Sequence, residues 1–354
     1  MGLYNLARSF LFSLSPERAH GLALLGLRYG LVFSDHHRDD DVLNIKLWDI
    51  DFPNPVGLAA GFDKNAEVAC PMLAQGFGFV ETGTVTPKPQ SGNPKPRLFR
   101  LTEDRAVINR MGFNNQGLAV YAKNLKRRAG LGKCGIVGAN IGANKDSEDP
   151  AQDYVTCLKS LLGLASYFTI NISSPNTPGL RKLQGRAALD DLLGRLIAVR
   201  EAADLKVKPP LLVKIAPDLD EGERADIADI ILKHGMDGMI ISNTTIGLRD
   251  DLTSEYAGEG GGLSGAPLFD LSTELLSDMY HLTKGSIPLI GVGGVASGMD
   301  AYRKIRAGAS LVQLYSALVF HGPGLVRKIK LELTAALKKD GFSSLKDAIG
   351  ADHK

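Results

Sequence analysis

The sequence predicts an α/β chain folded as a closed (β/α)8 barrel, and three observations point there. From about Leu43 onward, short apolar runs rich in β-branched residues alternate with stretches of helical periodicity. About eight such units occur over roughly 300 residues, the size of one barrel of this class. Polar side chains also gather where nearly every apolar run ends, the rim on which such barrels carry their sites. Strand-then-helix repetition gives parallel strands with right-handed crossovers. An open doubly wound sheet is the competing arrangement.

The bulk numbers set limits. The chain has 354 residues, 44% of them hydrophobic, enough for a sizeable core. Its 41 Lys and Arg against 39 Asp and Glu leave a formal charge of +2, so no nucleic acid is expected as a partner. Its 40 glycines, about 11%, exceed the roughly 7% of average usage, and they sit mostly where apolar runs end. Cys70, Cys134 and Cys157 match no metal-binding spacing, which predicts structural thiols in a reduced compartment. The His36-His37 pair lacks further ligands nearby, and no metal is expected.

Taken in order, residues 1–42 differ from the rest. LARSFLFSLSPERAHGLALLGLRYGLVF sets Arg8, Arg18 and Arg28 between apolar faces. Ser15-Pro16-Glu17 reads as a helix start, with serine as N-cap and proline at the first helical position. Two short amphipathic helices joined at Ser13-Leu14 follow from this. No apolar run approaches the 18 or so residues of a membrane span. Pro16, Glu17 and Arg18 break the apolar block that a signal peptide needs. Met1-Gly2 suggests myristoylation, but Leu6 stands where that motif wants a hydroxyl. The segment is either a helical cap on the main domain or an arm lying on a membrane, apolar residues down and arginines at the headgroups. Residues 43–55 alternate around a turn and predict a small hairpin closing the barrel floor.

The predicted strands and their ends then follow. Residues 55–60 lead to AAGFDKN with Lys64, and 79–85 to ETGTVTP with Thr84. Residues 135–141 lead to GANIGANK with Asn140. Residues 167–172 lead to NISSPN, with Asn171, Ser174 and Asn176. Residues 210–215 carry Lys214, and 238–242 end in Ser242, Asn243 and Thr244. Residues 288–292 run into Gly293 and Gly294, and 311–315 into Tyr315 and Ser316. Helical patterns occupy 187–203, 221–234, 272–283 and 297–307 between them.

GVGGV after the seventh strand and YSA after the eighth are where barrels commonly hold a phosphate on backbone N–H groups. GVGGVA also matches a degenerate dinucleotide fingerprint, but the next strand lacks the acidic residue that fingerprint wants. Lys214 lies inside an apolar strand, where an ammonium is costly without a partner. Its partner is a carboxylate such as Glu81, a carbonyl forming a Schiff base, or the pyrimidine edge of a reduced flavin.

PERAH, NPVGLAAGFDKN, TGTVTPKPQ, INRMGFNN, NISSPNTPGLR, VKIAPD, SNTT, GGLSG, GVGGV and LVQLYSAL occur in this order over roughly residues 16–324. In these motifs the chain resembles the dihydroorotate dehydrogenases of the quinone-linked, membrane-associated class. A threonine of that family is Ser242 here, which keeps the hydroxyl. The resemblance implies a barrel over residues 43–340, a tail over 341–354, and FMN-dependent oxidation of dihydroorotate to orotate. It implies FMN contacts at Ala60, Gly61, Lys64, Thr84, Asn140, Asn171, Lys214, Ser242, Gly265, Gly294, Tyr315 and Ser316. Substrate contacts fall on Lys64, Asn109, Arg110, Met111, Gly112, Phe113, Asn171, Asn176, Asn243 and Thr244. Ser174 becomes the catalytic base, where cytosolic relatives use cysteine, with Thr177 and a trapped water as its proton path; the bland alternative is a turn hydroxyl. For the arm, the resemblance implies a quinone tunnel between the two helices, with His20 and Arg100 near the quinone head. It further implies a monomer held peripherally on the cytoplasmic side of the inner membrane. His20 could instead be an ordinary surface histidine. On this modular reading, deleting residues 1–39 spares flavin reduction by dihydroorotate and abolishes quinone reduction.

Three rival readings remain. A soluble fumarate- or NAD-linked relative conflicts with serine at position 174 and with the arm. A phosphate-barrel aldolase with Lys214 as Schiff-base lysine conflicts with the amide-rich rim. A non-catalytic flavin-binding barrel leaves Lys64, Ser174 and Lys214 unexplained.

Overall fold

The computed structural model of the chain describes residues 3–32, 34–130 and 134–354. Met1 and Gly2, read above for a lipid-attachment motif, lie outside them. Two helices come first, α1 (Leu3–Ser13) and α2 (Pro16–Arg28). Pro16 takes the first helical position as expected, but the Ser15 hydroxyl makes no capping bond. The start of α2 therefore rests on the preset φ of proline rather than on a serine cap.

A hairpin, β1 (Ile45–Leu47) and β2 (Ile50–Phe52), precedes the barrel. Then come β3 (Val56–Leu58) and β4 (Phe79–Val85), a ribbon of β5 (Leu98–Leu101) and β6 (Ala106–Asn109), and β7 (Ile136–Ile141). β8 (Tyr167–Asn171), β9 (Leu211–Ile215) and β10 (Gly238–Ile241) follow. β11 (Gly262–Gly265) joins the ribbon, and β12 (Leu289–Val292) and β13 (Ala309–Leu314) complete the ring. The barrel closes in the order β10-β12-β13-β3-β4-β7-β8-β9, every pair parallel. Closure excludes the open sheet.

The outer layer consists of α3 (Ala69–Leu73), α4 (Leu118–Gly130), α5 (Pro150–Leu161), α6 (Arg186–Ala202) and α7 (Glu221–Lys233). It continues with α8 (Phe269–Leu282), α9 (Gly298–Arg306), α10 (Ser316–His321) and α11 (Leu325–Lys339). Asp220 and Glu223 form a reciprocal capping box that starts α7. Strands β4, β7, β8 and β9 are buried at every position. That is why they read as continuous apolar runs and not as alternating ones.

The hairpin does close the floor. Trp48 donates its indole N–H to the Asp237 carbonyl, just before β10, at 2.7 Å. Phe52 packs edge-on against Phe79 at the start of β4. Inside the ring, the Phe79 and Tyr167 rings fill the space over Gly57 and Gly138; a Cβ at either glycine would lie 2.2 Å from ring carbon. Small and large residues are thus matched across the floor.

Two features depart from the sequence reading. The antiparallel sheet β11–β6–β5 was not expected as strands. The expectation of unpaired structural thiols is corrected as well: Cys70 on α3 and Cys134 before β7 are disulfide-bonded, and Cys157 alone is free and buried.

Candidate active site

The carboxyl ends of the barrel strands open into one cavity of about 790 Å³. Its walls carry nearly all the sequence-predicted groups: Ala60, Gly61, Lys64, Thr84, Asn109, Met111, Gly112, Phe113, Asn171, Ser174, Asn176, Lys214, Ser242, Asn243, Thr244, Gly265, Gly294, Tyr315 and Ser316. His20 and Arg100 line it as well, and it continues between α1 and α2 past Leu11, Phe12, Ala19 and Ala23.

Two of the expected residues do not line it. Asn140 is buried in the wall behind, accepting from Thr84 Oγ1 at 2.5 Å and donating to Glu81 Oε1 at 2.8 Å. Arg110 is drawn off by Glu259 at 2.6 Å and lies over the Phe99 ring. Those positions were read as FMN and substrate contacts; here both side chains are engaged by these protein partners.

The amides are held by one another. Asn171 donates to Thr84 Oγ1 at 2.8 Å and to Asn140 Oδ1 at 3.2 Å. Asn243 donates to Ser173 Oγ at 3.0 Å and Asn171 Oδ1 at 3.3 Å. Asn176 donates to Asn109 Oδ1 at 3.1 Å. Such a network fixes which face of each amide is donor and which is acceptor. Glu81, which sequence reading weighed only as a partner of Lys214, anchors the network. The signal was there: a charge inside the apolar run of β4, just as Lys214 lies inside that of β9.

Lys214 is buried on the cavity wall and has neither ion pair nor hydrogen bond among the described residues, and burial lowers its pKa. Lys64 donates to the Gly61 carbonyl at 2.6 Å, and burial pushes its ammonium down to about 8. Neither forms an ion pair with a carboxylate among the described residues, although Glu81 acts on Lys214, and Glu17 and Asp63 on Lys64, from a distance.

Ser174 is 6% exposed, and its hydroxyl oxygen accepts from the Asn176 N–H at 3.3 Å. That is the turn contact of the bland reading, yet the same hydroxyl faces the cavity, and its own proton has no protein acceptor among the described residues. Three residues on, Thr177 Oγ1 is buried with no partner among the described residues.

His20 is no ordinary surface histidine. It stands edge-on to Phe62 at 5.1 Å and near Tyr315 at 6.4 Å. Burial, helped by the Lys64 charge, pushes its imidazole down to about 3, so it is neutral. The Arg100 guanidinium lies over Phe12 at 4.1 Å and donates to the Phe12 carbonyl, joining the ribbon to α1.

At the other end, Gly293 and Gly294 hold φ of 112° and 73° and form bare backbone wall. A Cβ on Gly294 would lie 2.5 Å from Cβ of Phe269. Ser264 and Ser316 share a hydrogen bond of 2.8 Å beside them. The wall suits an oxyanion.

Comparison with known proteins agrees with this geometry. The family described as dihydroorotate dehydrogenase matches residues 42–337. The chain is 58% identical over 354 residues to the dihydroorotate dehydrogenase (quinone) of Azorhizobium caulinodans, with 99% of each chain covered. It is 51% identical to the mitochondrial dihydroorotate dehydrogenase (quinone) of Oryza sativa subsp. japonica, covering 96% of this chain and 78% of that one. The crystal structure of DHODH from Eimeria tenella in complex with ferulenol superposes with a TM-score of 0.92 at 43% identity, covering 96% of both chains. Alike along nearly its whole length in sequence and in fold, the chain belongs to the dihydroorotate dehydrogenase family.

Proposed function

We propose that this chain oxidises (S)-dihydroorotate to orotate, with FMN as its resident cofactor and a membrane quinone as electron acceptor, in pyrimidine biosynthesis. One observation carries the reading: the chamber that holds Ser174, Lys64, Lys214 and the amides runs without a break into the apolar groove between α1 and α2. Dihydroorotate dehydrogenases are flavin-dependent, and the donor set here fits FMN. Lys214 offers a partnerless ammonium to the flavin's pyrimidine edge, and the backbone of Gly265, Gly293 and Gly294 with Ser264 and Ser316 offers donors to a phosphate. Bound there, FMN would take a hydride from C6 of the substrate and pass two electrons to the quinone.

The remaining work falls to the chain. Lys64 pairs with the substrate carboxylate. Asn109, Asn176, Asn243 and Thr244 present donors and acceptors to the imide edge. A site that bonds its substrate this fully rejects analogues lacking those groups by about 10⁴-fold. Ser174 takes the C5 proton. Serine is a poorer base than cysteine, whose free pKa is about 8.5, so the proton must travel on. The unpartnered Thr177 hydroxyl and a water beside it supply that path.

Residues 1–42 form the arm, and 43–340 the catalytic barrel, with 341–354 as its tail. Phe10, Leu22, Leu25, Tyr29 and Leu31 of the arm are exposed apolar side chains, and Arg8, Arg18 and Arg28 lie among them, a composition suited to a headgroup layer. No helix among the described residues is long and apolar enough to cross a membrane. We place a monomer peripherally on the cytoplasmic face of the inner membrane, with neutral His20 and Arg100 near the quinone head.

The test is an anaerobic absorption spectrum of the purified protein. Dihydroorotate should bleach a flavin band, and a short-chain quinone, not fumarate or NAD, should restore it. A protein that cannot take up FMN, or a band that dihydroorotate leaves intact, overturns the proposal.

A further inference from the structure

Glu17 opens α2, yet its carboxylate is turned toward the barrel. Arg97 grips it with two nitrogens, Nη2 at 2.7 Å and Nε at 3.3 Å, while Lys95 stands at 3.4 Å. The Arg97 side chain is 7% exposed. Its remaining nitrogen, Nη1, donates to the carbonyls of Ser91 at 2.6 Å and Asn93 at 2.9 Å. One guanidinium thus joins the arm to a short loop of the barrel.

That loop reaches the substrate groups. The Asn93 amide N–H bonds the Met111 carbonyl at 3.1 Å. Asn93 Nδ2 donates to the carbonyls of Arg110 at 3.0 Å and Asn176 at 3.1 Å. Asn176 in turn donates to Asn109. From the arm's carboxylate to the amides of the rim, every link is a direct hydrogen bond. The other supports of the loop lie at its ends: Gln90 pairs with Asn115 through the backbone and donates its side-chain amide to the carbonyls of Gly112 and Phe113, and β5 begins after the Arg97 carbonyl accepts from the Arg110 N–H. It also has no slack, because a Cβ on Gly92 would lie 2.2 Å from the Met111 carbonyl oxygen.

We infer that Glu17 and Arg97 are positioning residues for the substrate: docking of the arm fixes the loop at residues 91–93, and that loop fixes Asn176 and the backbone at 110–111. This rests on the proposed reading of Asn109 and Asn176 as substrate contacts. Without Glu17, Arg97 is a buried cation left with two carbonyls and no counter-ion. It then turns toward water, and Asn93 loses the clamp that aims it. The arm therefore serves both half-reactions. Deleting residues 1–39 weakens dihydroorotate binding as well as abolishing quinone reduction, which revises the modular expectation drawn from sequence.

The experiment follows anaerobic flavin bleaching by dihydroorotate in the full-length holoenzyme, with no quinone present. In Glu17→Gln the concentration for half-maximal bleaching rate should rise about tenfold, while the limiting rate changes less than about twofold. Asn93→Ala, which cuts the path without touching the arm, should raise the same concentration and leave the quinone KM alone. Arg97→Lys should not rescue, because an ammonium cannot grip the carboxylate and both carbonyls in one plane. Arg18→Gln, on the exposed side of α2, serves as control. Half-saturation within about twofold of wild type in both Glu17→Gln and Asn93→Ala would overturn the inference. Failure of dihydroorotate to bleach the wild-type protein would instead sink the functional reading, so the two failures are distinct.

Discussion

Lys214 and Glu81 share the barrel interior without pairing. Glu81 takes its hydrogen bonds from Asn140, Tyr167, Thr169 and Gln313, all neutral donors, and Lys214 is left facing the cavity. A buried charge without a partner costs stability until a ligand supplies one.

The Lys214→Met apoprotein should accordingly be more stable than the wild-type apoprotein by about 1 kcal/mol. In the flavin-loaded variant, bleaching by dihydroorotate should be slower by about 10²-fold, the usual loss for one preorganised electrostatic contact. Urea denaturation and stopped-flow absorbance measure the two effects separately. A variant that is both less stable and equally fast would show that Lys214 has a structural partner instead.

Ser174→Ala should lose about 10²–10⁴-fold in bleaching rate while orotate binding and flavin content survive. Thr177→Val removes a buried hydroxyl that has no partner, so its stability should hold or rise. If that hydroxyl carries the proton onward, bleaching slows about tenfold. Near-normal rates in Thr177→Val would move the proton path elsewhere.

Lys304 on α9 is fully buried, donating to Ser272 Oγ at 2.8 Å and Thr273 Oγ1 at 3.0 Å, and among the described residues no carboxylate forms an ion pair with it. Burial pushes it down to about 7, and Lys64 to about 8. An unfolded lysine titrates near 10.4. Between about pH 7 and pH 10 the unfolded chain therefore holds protons that the folded chain has shed, and stability rises with pH. Lys304→Met should flatten that rise by up to about 1.4 kcal/mol per pH unit, read from urea midpoints at about pH 7.5 and about pH 9.5. An unchanged slope would mean that Lys304 stays charged in the fold.

The disulfide between Cys70 and Cys134 closes a loop of 64 residues. In the chain-entropy account it stabilises by about 4 kcal/mol, so a thiol reductant should lower the urea midpoint of the oxidised protein and leave Cys70→Ser unmoved. A reducing cytoplasm would keep the bond open. Flavin bleaching should be insensitive to its state, because neither cysteine lines the cavity.

The sequence revealed the barrel because its strands are hidden on both faces: residues 79–85 and 167–172 read as apolar runs and became β4 and β8 almost unchanged. The ribbon escaped notice because β6 and β11 are four-residue strands paired across some 150 positions, Asn109 with Gly262, and local pattern carries no such partner. Cysteine pairing is equally silent in sequence. At the site, residue types at strand ends were readable, since each follows its strand directly. Side-chain direction was not. Asn140 and Arg110 turn from the cavity because Glu81 and Glu259, distant in sequence, draw them away.

The hairpin plug beneath the barrel has a consequence for traffic. With Trp48 and Phe52 sealing the far end, the chamber is a cul-de-sac and not a pipe. What reaches the rim must therefore come from the side of the carboxyl strand ends, where the groove between α1 and α2 joins the chamber. An acceptor with a long hydrocarbon tail lying in that groove would then leave by backing out along the way it came.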